Sequence, residues 1–231
     1  MKPYIMNRIE LKNNAKSKIN IKAAFAVVLI IYFIPSLISN FGLFSNFETV
    51  QMDGMIYTVQ VPNAIGMLFA MVIPFLLEYW STAYFMYAYK EEGEAMSSME
   101  FFSSLKFNAF LKYIMKLVVS NILVFLWSLL FVIPGIIKAY SYYLVPFIAA
   151  ERPELGIFET IKESKRLMNG AKAQTVVLDL SFLGWSIVSS MTFGIVGFWL
   201  MPYYSFTRIG LYHDLVQRDK MDADIIDADI A

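Results

Sequence analysis

Residues 111–150 read LKYIMKLVVS NILVFLWSLL FVIPGIIKAY SYYLVPFIAA, forty positions that are mostly apolar. As one helix they would extend about 60 Å at roughly 1.5 Å per residue, twice the ~30 Å hydrocarbon core of a bilayer. The segment must fold back on itself. Pro134-Gly135 supplies the break, since proline cannot donate the helical hydrogen bond and clashes with the preceding turn, while glycine tolerates positive φ. Two spans follow, at about 112–133 and 135–150. The same argument divides residues 174–216 at Thr192-Phe193-Gly194 and Gly197 into spans at 174–192 and 195–216. Two further apolar runs, 23–40 and 64–89, bring the number of predicted transmembrane helices to six.

Composition agrees. The chain is 231 residues, 58% hydrophobic and 16% charged, against roughly 45–50% apolar and about 25% charged in soluble domains. It has no cysteine, which excludes a disulfide framework and thiolate metal sites. The net charge of zero argues against nucleic acid as a partner. Apolar runs recur along the chain, so residues 23–40 read as a span rather than as a signal peptide.

Lysine and arginine set the orientation, because positive charge near span ends stays in the cytoplasm. Seventeen of the 19 basic residues fall on one side, in the leader 1–22, between spans two and three, between spans four and five, and in the tail 217–231. Lys138 falls on the other side and Arg208 within the last span. Both termini are predicted to be cytoplasmic.

Each cytoplasmic segment reads as an amphipathic helix at the interface. The leader alternates Ile5, Ile9 and Leu11 with Arg8, Lys12 and Lys16. Residues 97–114 open on the capping box Ser97-Ser98-Met99-Glu100, and residues 156–168 end at Asn169-Gly170. The predicted fold class is therefore all-α: a polytopic membrane domain, 23–216, of three hairpin units, each preceded by a cytoplasmic amphipathic helix. The external segment 41–63 carries Asp53-Gly54 between two alternating runs, which predicts a small β-hairpin. Phe41, Leu43, Phe44 and Phe47 ahead of it offer an apolar surface. The acidic tail 217–231 reads as a mobile solvated segment.

The even spans share an apolar-proline-aromatic triplet, at Ile73-Pro74-Phe75, Val145-Pro146-Phe147 and Met201-Pro202-Tyr203. Pro74, Pro146 and Pro202 are candidate kinks, whose freed carbonyls are met by neighbouring helices or by a lined cavity. Three charges enter the apolar spans: Glu78, Asp179 and Arg208. Such charges cost roughly 2.5–3.5 kcal/mol at a helix centre on insertion scales, so each needs a partner or water. Asp179 stands 15 residues before Gly194 and Arg208 stands 14 after it, which puts both at one depth and predicts an ion pair between spans five and six. Glu78, with Tyr79, Ser81, Thr82 and Tyr84 nearby, reads either as a structural glutamate or as a coupling carboxylate in a polar pocket. The lone histidine, His213, cannot form a metal cluster, and the nucleotide loop and zinc-protease motifs are missing. No enzyme and no cofactor is expected.

Residues 125–143 (FLWSLLFVIPGIIKAYSYY), 163–170 (ESKRLMNG), 180–185 (LSFLGW) and 199–203 (WLMPY) resemble the bacterial integral membrane family catalogued as domain of unknown function 975. The resemblance extends over nearly the whole chain, the hairpin segment and the acidic tail excepted. It implies a six-span protein of the bacterial plasma membrane, commonly of Gram-positive organisms, and implies no reaction and no functional residues. A more distant similarity, to membrane domains attached to some glycerophosphodiester phosphodiesterases, implies an accessory role. Two functions are open. The first, which the sequence favours, is a module in the lipid bilayer that binds a membrane or secreted protein partner. The second is a small secondary transporter or channel, with Glu78 at its midplane and room for a homo-oligomer. A cavity reaching Glu78 would favour the second, and a dry bundle with an apolar hairpin surface the first.

Overall fold

A computed structural model describes residues 6–19, 27–29, 45–90, 107–192 and 194–230. Most of the first expected span and the capping box at Ser97 lie outside these residues. The elements are α1 (Arg8–Lys18), β1 (Ser45–Met52), β2 (Met55–Pro62), α2 (Ala64–Lys90), α3 (Phe107–Leu130), α4 (Val132–Ser141), α5 (Val145–Glu151), α6 (Ile157–Leu167), α7 (Lys172–Met191) and α8 (Gly197–Ile230). The chain is mostly helical with one two-stranded antiparallel sheet. Six spans were expected; among the described residues two helical stretches are long and apolar enough to cross a membrane, Phe107–Leu130 and Val132–Glu151.

The first of these turns an apolar surface outward. Phe125, Leu129, Leu130, Phe131, Val132 and Ile133 are exposed around the end of α3 and the start of α4. The break between those helices falls at Phe131, which is extended at φ −155° and ψ 143°, rather than at Pro134-Gly135. Pro134 occupies the first turn of α4, where a missing N–H removes no helical bond. Gly135 answers a different need. A Cβ there would clash with Ser128 Oγ and stand 2.7 Å from Ser128 Cα, so α3 and α4 can meet only at a hydrogen side chain.

Pro146 likewise follows a break and does not kink a continuous helix. It sits in the first turn of α5, after the turn at 142–144. Ser164 of α6 repairs that interruption, its hydroxyl donating to Ser141 O at 2.9 Å and accepting from Leu144 N at 3.2 Å. Ser164 is fully buried, so without it two backbone groups would be left in an apolar setting. Pro202 does lie inside a continuous helix, α8, and Pro74 lies within α2.

Two terminal segments differ from expectation. Helix α1 is capped by Asn7, whose Oδ1 accepts from Glu10 N at 3.2 Å. It docks on α7 and α8, burying Leu11 and Ala15. Lys12 donates to Ser181 Oγ at 2.7 Å and stands 4.5 Å from the centre of the Phe182 ring, while Lys16 lies 5.5 Å from that of Tyr203. Lysine stems pack on apolar surface and ammonium groups favour aromatic faces, so a basic helix can sit against these two helices. The acidic tail, in turn, continues α8, which runs unbroken to Ile230. Its alanines, isoleucines and lone methionine sustain a helix that is already nucleated.

The hairpin forms as expected. Asp53 and Gly54 both take positive φ, 51° and 78°, in the tight turn that matches strand twist. Val50 faces Tyr57 and Met52 faces Met55 across the ladder, and these four side chains are exposed on one face with Val59.

The charged end of the bundle is knit by ion pairs. Glu163 takes Arg166 Nη2 at 2.9 Å and Arg152 Nη2 at 3.2 Å, and Arg166 reaches on to Asp219 of α8. Arg218 donates to Leu167 O at 3.1 Å and Asn169 O at 3.2 Å, closing the end of α6, where Gly170 turns the chain at φ 79°. The hydrogen bonds and charge of Arg166 hold the Glu163 carboxyl below its usual range, with Arg152 adding to the effect.

Two predictions follow from this packing. Gly135→Ala should lower stability by about 1–3 kcal/mol through overpacking, read as a drop in Tm in detergent, whereas Gly184→Ala, which meets nothing within 4 Å, should change it little. Because the Glu163 pKa is depressed on folding, its contribution is present at neutral pH and is lost as pH falls through the folded value. Tm should therefore decline below the ordinary glutamate range, and Glu163→Gln should lower Tm at pH 7 while flattening that acid limb.

Candidate functional site

The three charges predicted inside the spans come from three separate helices. Glu78 is on α2, Asp179 on α7 and Arg208 on α8. Around Asp179 the arrangement is set by tyrosines. Tyr140 and Tyr143 stand three positions apart and stack at 5.8 Å with an angle of 11°. Tyr143 OH donates to Asp179 Oδ1 at 2.9 Å, Tyr204 OH donates to the same oxygen at 3.0 Å, and Tyr140 OH donates to Oδ2 at 3.1 Å. Three hydroxyls, from α4, the turn after it and α8, thus satisfy the carboxylate.

The expected ion pair between Asp179 and Arg208 does not form: among the described residues no salt bridge joins them. The hydroxyl-bearing rings of Tyr143 and Tyr204 touch both groups instead, bonding Asp179 and lying beside Arg208. Arg208 lies one turn after Tyr204 on the same helix face. Its Cζ is 4.5 Å from the centre of the Tyr143 ring, 5.1 Å from that of Phe147 and 5.4 Å from that of Tyr204. The guanidinium is thus held by ring faces, an interaction to which planar, weakly hydrated arginine is suited. Its Nε is buried with no hydrogen-bond acceptor.

Glu78 approaches from the other side. Positions 78, 81, 82 and 85 form one stripe of α2 at helical spacing, and all four line a cavity of about 290 Å³. Opposite them stand Tyr204, Ser205 and Arg208 of α8, with Pro146 and Phe147 of α5. Ser81 and Thr82 therefore share a polar pocket with Glu78, as expected, whereas Tyr79 and Tyr84 turn away and are buried elsewhere. Asp179 does not reach the cavity; it braces Tyr204, which does. Of the kink prolines, Pro146 lines the cavity.

Sequence reasoning missed the tyrosines. The signal was there in Tyr140 and Tyr143, three apart, and in Tyr204, four before Arg208. A larger cleft of about 520 Å³ opens beside α1, lined by Lys18, Tyr89, Lys90 and His213, and includes none of the three predicted charges. His213 stacks on Tyr89 there, at 5.2 Å and 8°.

Residues 129–219 match the family described as Protein of unknown function (DUF975). The resemblance read from the sequence is borne out over that segment, which holds the tyrosines, Asp179 and Arg208 and leaves out Glu78. No curated protein and no solved structure matches the chain.

Tyr143→Phe keeps the ring over Arg208 and removes one hydrogen bond to a carboxylate. It should cost about 1.5–3 kcal/mol, measured as the fall in unfolding free energy in detergent. Tyr57→Phe on the exposed hairpin should cost nothing measurable.

Proposed function

We propose that this chain, whose residues 129–219 match the family of unknown function DUF975, is a multi-pass membrane protein that admits a small polar solute to the cavity between Glu78 and Arg208. In this reading it is a small transporter or channel and no enzyme, with six spans and both termini in the bacterial cytoplasm. The cavity carries the reading. It gathers an acid, a guanidinium and the hydroxyls of Ser81, Thr82 and Ser205 amid apolar helices. Convergent polar groups in an otherwise apolar pocket are the usual form of a small-molecule site, and charges at such depth mark pathways more often than surfaces. The sided distribution of basic residues supports the topology, and the outward apolar residues of α3 and α4 support contact with lipid.

A second reading, a module that binds a protein partner, draws on the hairpin. Its exposed face, with Val50, Met52, Met55 and Tyr57, is an apolar ladder of the kind that pairs with another surface.

The chain has no cysteine, so single cysteines report accessibility without prior substitution. In sealed vesicles Ser81→Cys and Ser205→Cys should react with a small hydrophilic thiol reagent, while Ser120→Cys, at a buried position, should not. Failure of both cavity positions to react, from either side of the vesicle, would remove the solute reading and leave the hairpin.

A further inference from the structure

The cavity walls hold opposite charges that make no direct bond to each other. Among the described residues neither the Glu78 carboxylate nor the Arg208 guanidinium makes a hydrogen bond or a salt bridge. The obvious mate of Arg208, Asp179, is already taken by the hydroxyls of Tyr140, Tyr143 and Tyr204. The arginine is instead fixed by three aromatic rings, the nearest centre 4.5 Å away, and ring faces hold a guanidinium in place without accepting its N–H groups. Its Nε is shut away from water with no acceptor. A guanidinium has five donors in a planar fork suited to a carboxylate or phosphate. The arrangement therefore holds an oriented guanidinium that has no hydrogen-bond acceptor among the described residues, beside a cavity whose opposite wall carries a carboxylate.

Resting on the solute reading above, we propose that the cavity takes a compact zwitterion. Its anionic group meets the Arg208 guanidinium, its cationic group meets the Glu78 carboxylate, and Ser81 and Ser205 serve the remaining polar atoms. The volume, about 290 Å³, lies at the small end of ligand pockets and suits a molecule the size of an amino acid. A simple anion would satisfy Arg208 and leave Glu78 facing it across the cavity, and a simple cation would do the reverse. Only a ligand with both charges answers both walls. Two sources offer that chemistry: a free amino acid, or the headgroup of a zwitterionic lipid entering from the bilayer.

The test follows labelling of Ser205→Cys in the full-length protein, in nanodiscs of phosphatidylglycerol or of phosphatidylethanolamine. In phosphatidylglycerol, a mixture of neutral L-amino acids should slow labelling at least fivefold, and matched mixtures of simple carboxylates or simple amines should not. Where the source is the lipid, labelling is slow in phosphatidylethanolamine and fast in phosphatidylglycerol, with no response to amino acids; this also supports the zwitterion. Protection should be lost in the Ser205→Cys background when Glu78→Gln is added. Glu78 is exposed in the bundle, and Tm read beside the labelling confirms that the variant is folded. Rapid labelling that neither amino acids nor phosphatidylethanolamine slows overturns the zwitterion and leaves the solute reading standing. Protection by carboxylates alone, or protection that survives Glu78→Gln, does the same. No labelling under any condition overturns both.

Discussion

The carboxylate of Asp179 has to be satisfied inside an apolar bundle, and the way this is done organises the helices around it. Tyr140, Tyr143 and Tyr204 each give it a hydroxyl. Those three bonds tie α4 and the turn after it, α7 and α8 to one point. They also place the Tyr143 and Tyr204 rings where Arg208 lies against them. A direct ion pair would have joined only two helices and consumed the guanidinium. Hydrogen bonds from neutral phenols satisfy the carboxylate oxygens without adding charge, so the guanidinium is left facing the cavity.

Interruptions of the helices obey the same demand. At two interruptions of the helices among the described residues, a side chain from another element pairs the freed backbone groups. Ser164 serves both Ser141 O and Leu144 N at the turn before α5. Lys116, almost wholly buried, donates to Arg152 O at 3.1 Å just beyond the end of α5. These repairs let Pro146 and Phe147 sit at the cavity wall, at the head of a short helix, where a continuous helix would have covered the space.

Much of the architecture was legible in the sequence because it follows from local chemistry. The turn at Asp53-Gly54, the stop at Gly170 and the reversal near Gly194 each depend on a residue that accepts positive φ. The equal depth of Asp179 and Arg208 followed from counting along two helices. What lay between them did not, because it depends on which face of a third segment turns inward, and tyrosine is at home both in cores and at surfaces. The break at Phe131 was placed three residues late for a related reason. Proline marks a boundary but is accepted in a first turn, so it locates a helix start only to within that turn. Docking of α1 on α7 and α8 was hidden by its charge, since lysines over Phe182, Tyr203 and Tyr89 read in sequence as a solvated face.

Helix α8 has one further property, which comes from its length alone. It carries Tyr204 and Arg208 near one end and continues without a break to Ile230. The 22 residues beyond Arg208 form a rod of about 33 Å at roughly 1.5 Å per residue. A tilt of about 5° at the arginine displaces the far tip by about 3 Å, as a long oar moves its blade when the handle turns. Arg166 meets the shaft at Asp219, half-way along, where the same tilt amounts to about 1.5 Å. By lever geometry alone, the tip of the helix at Ile230 moves further than any other part of it for a given change in inclination at Arg208.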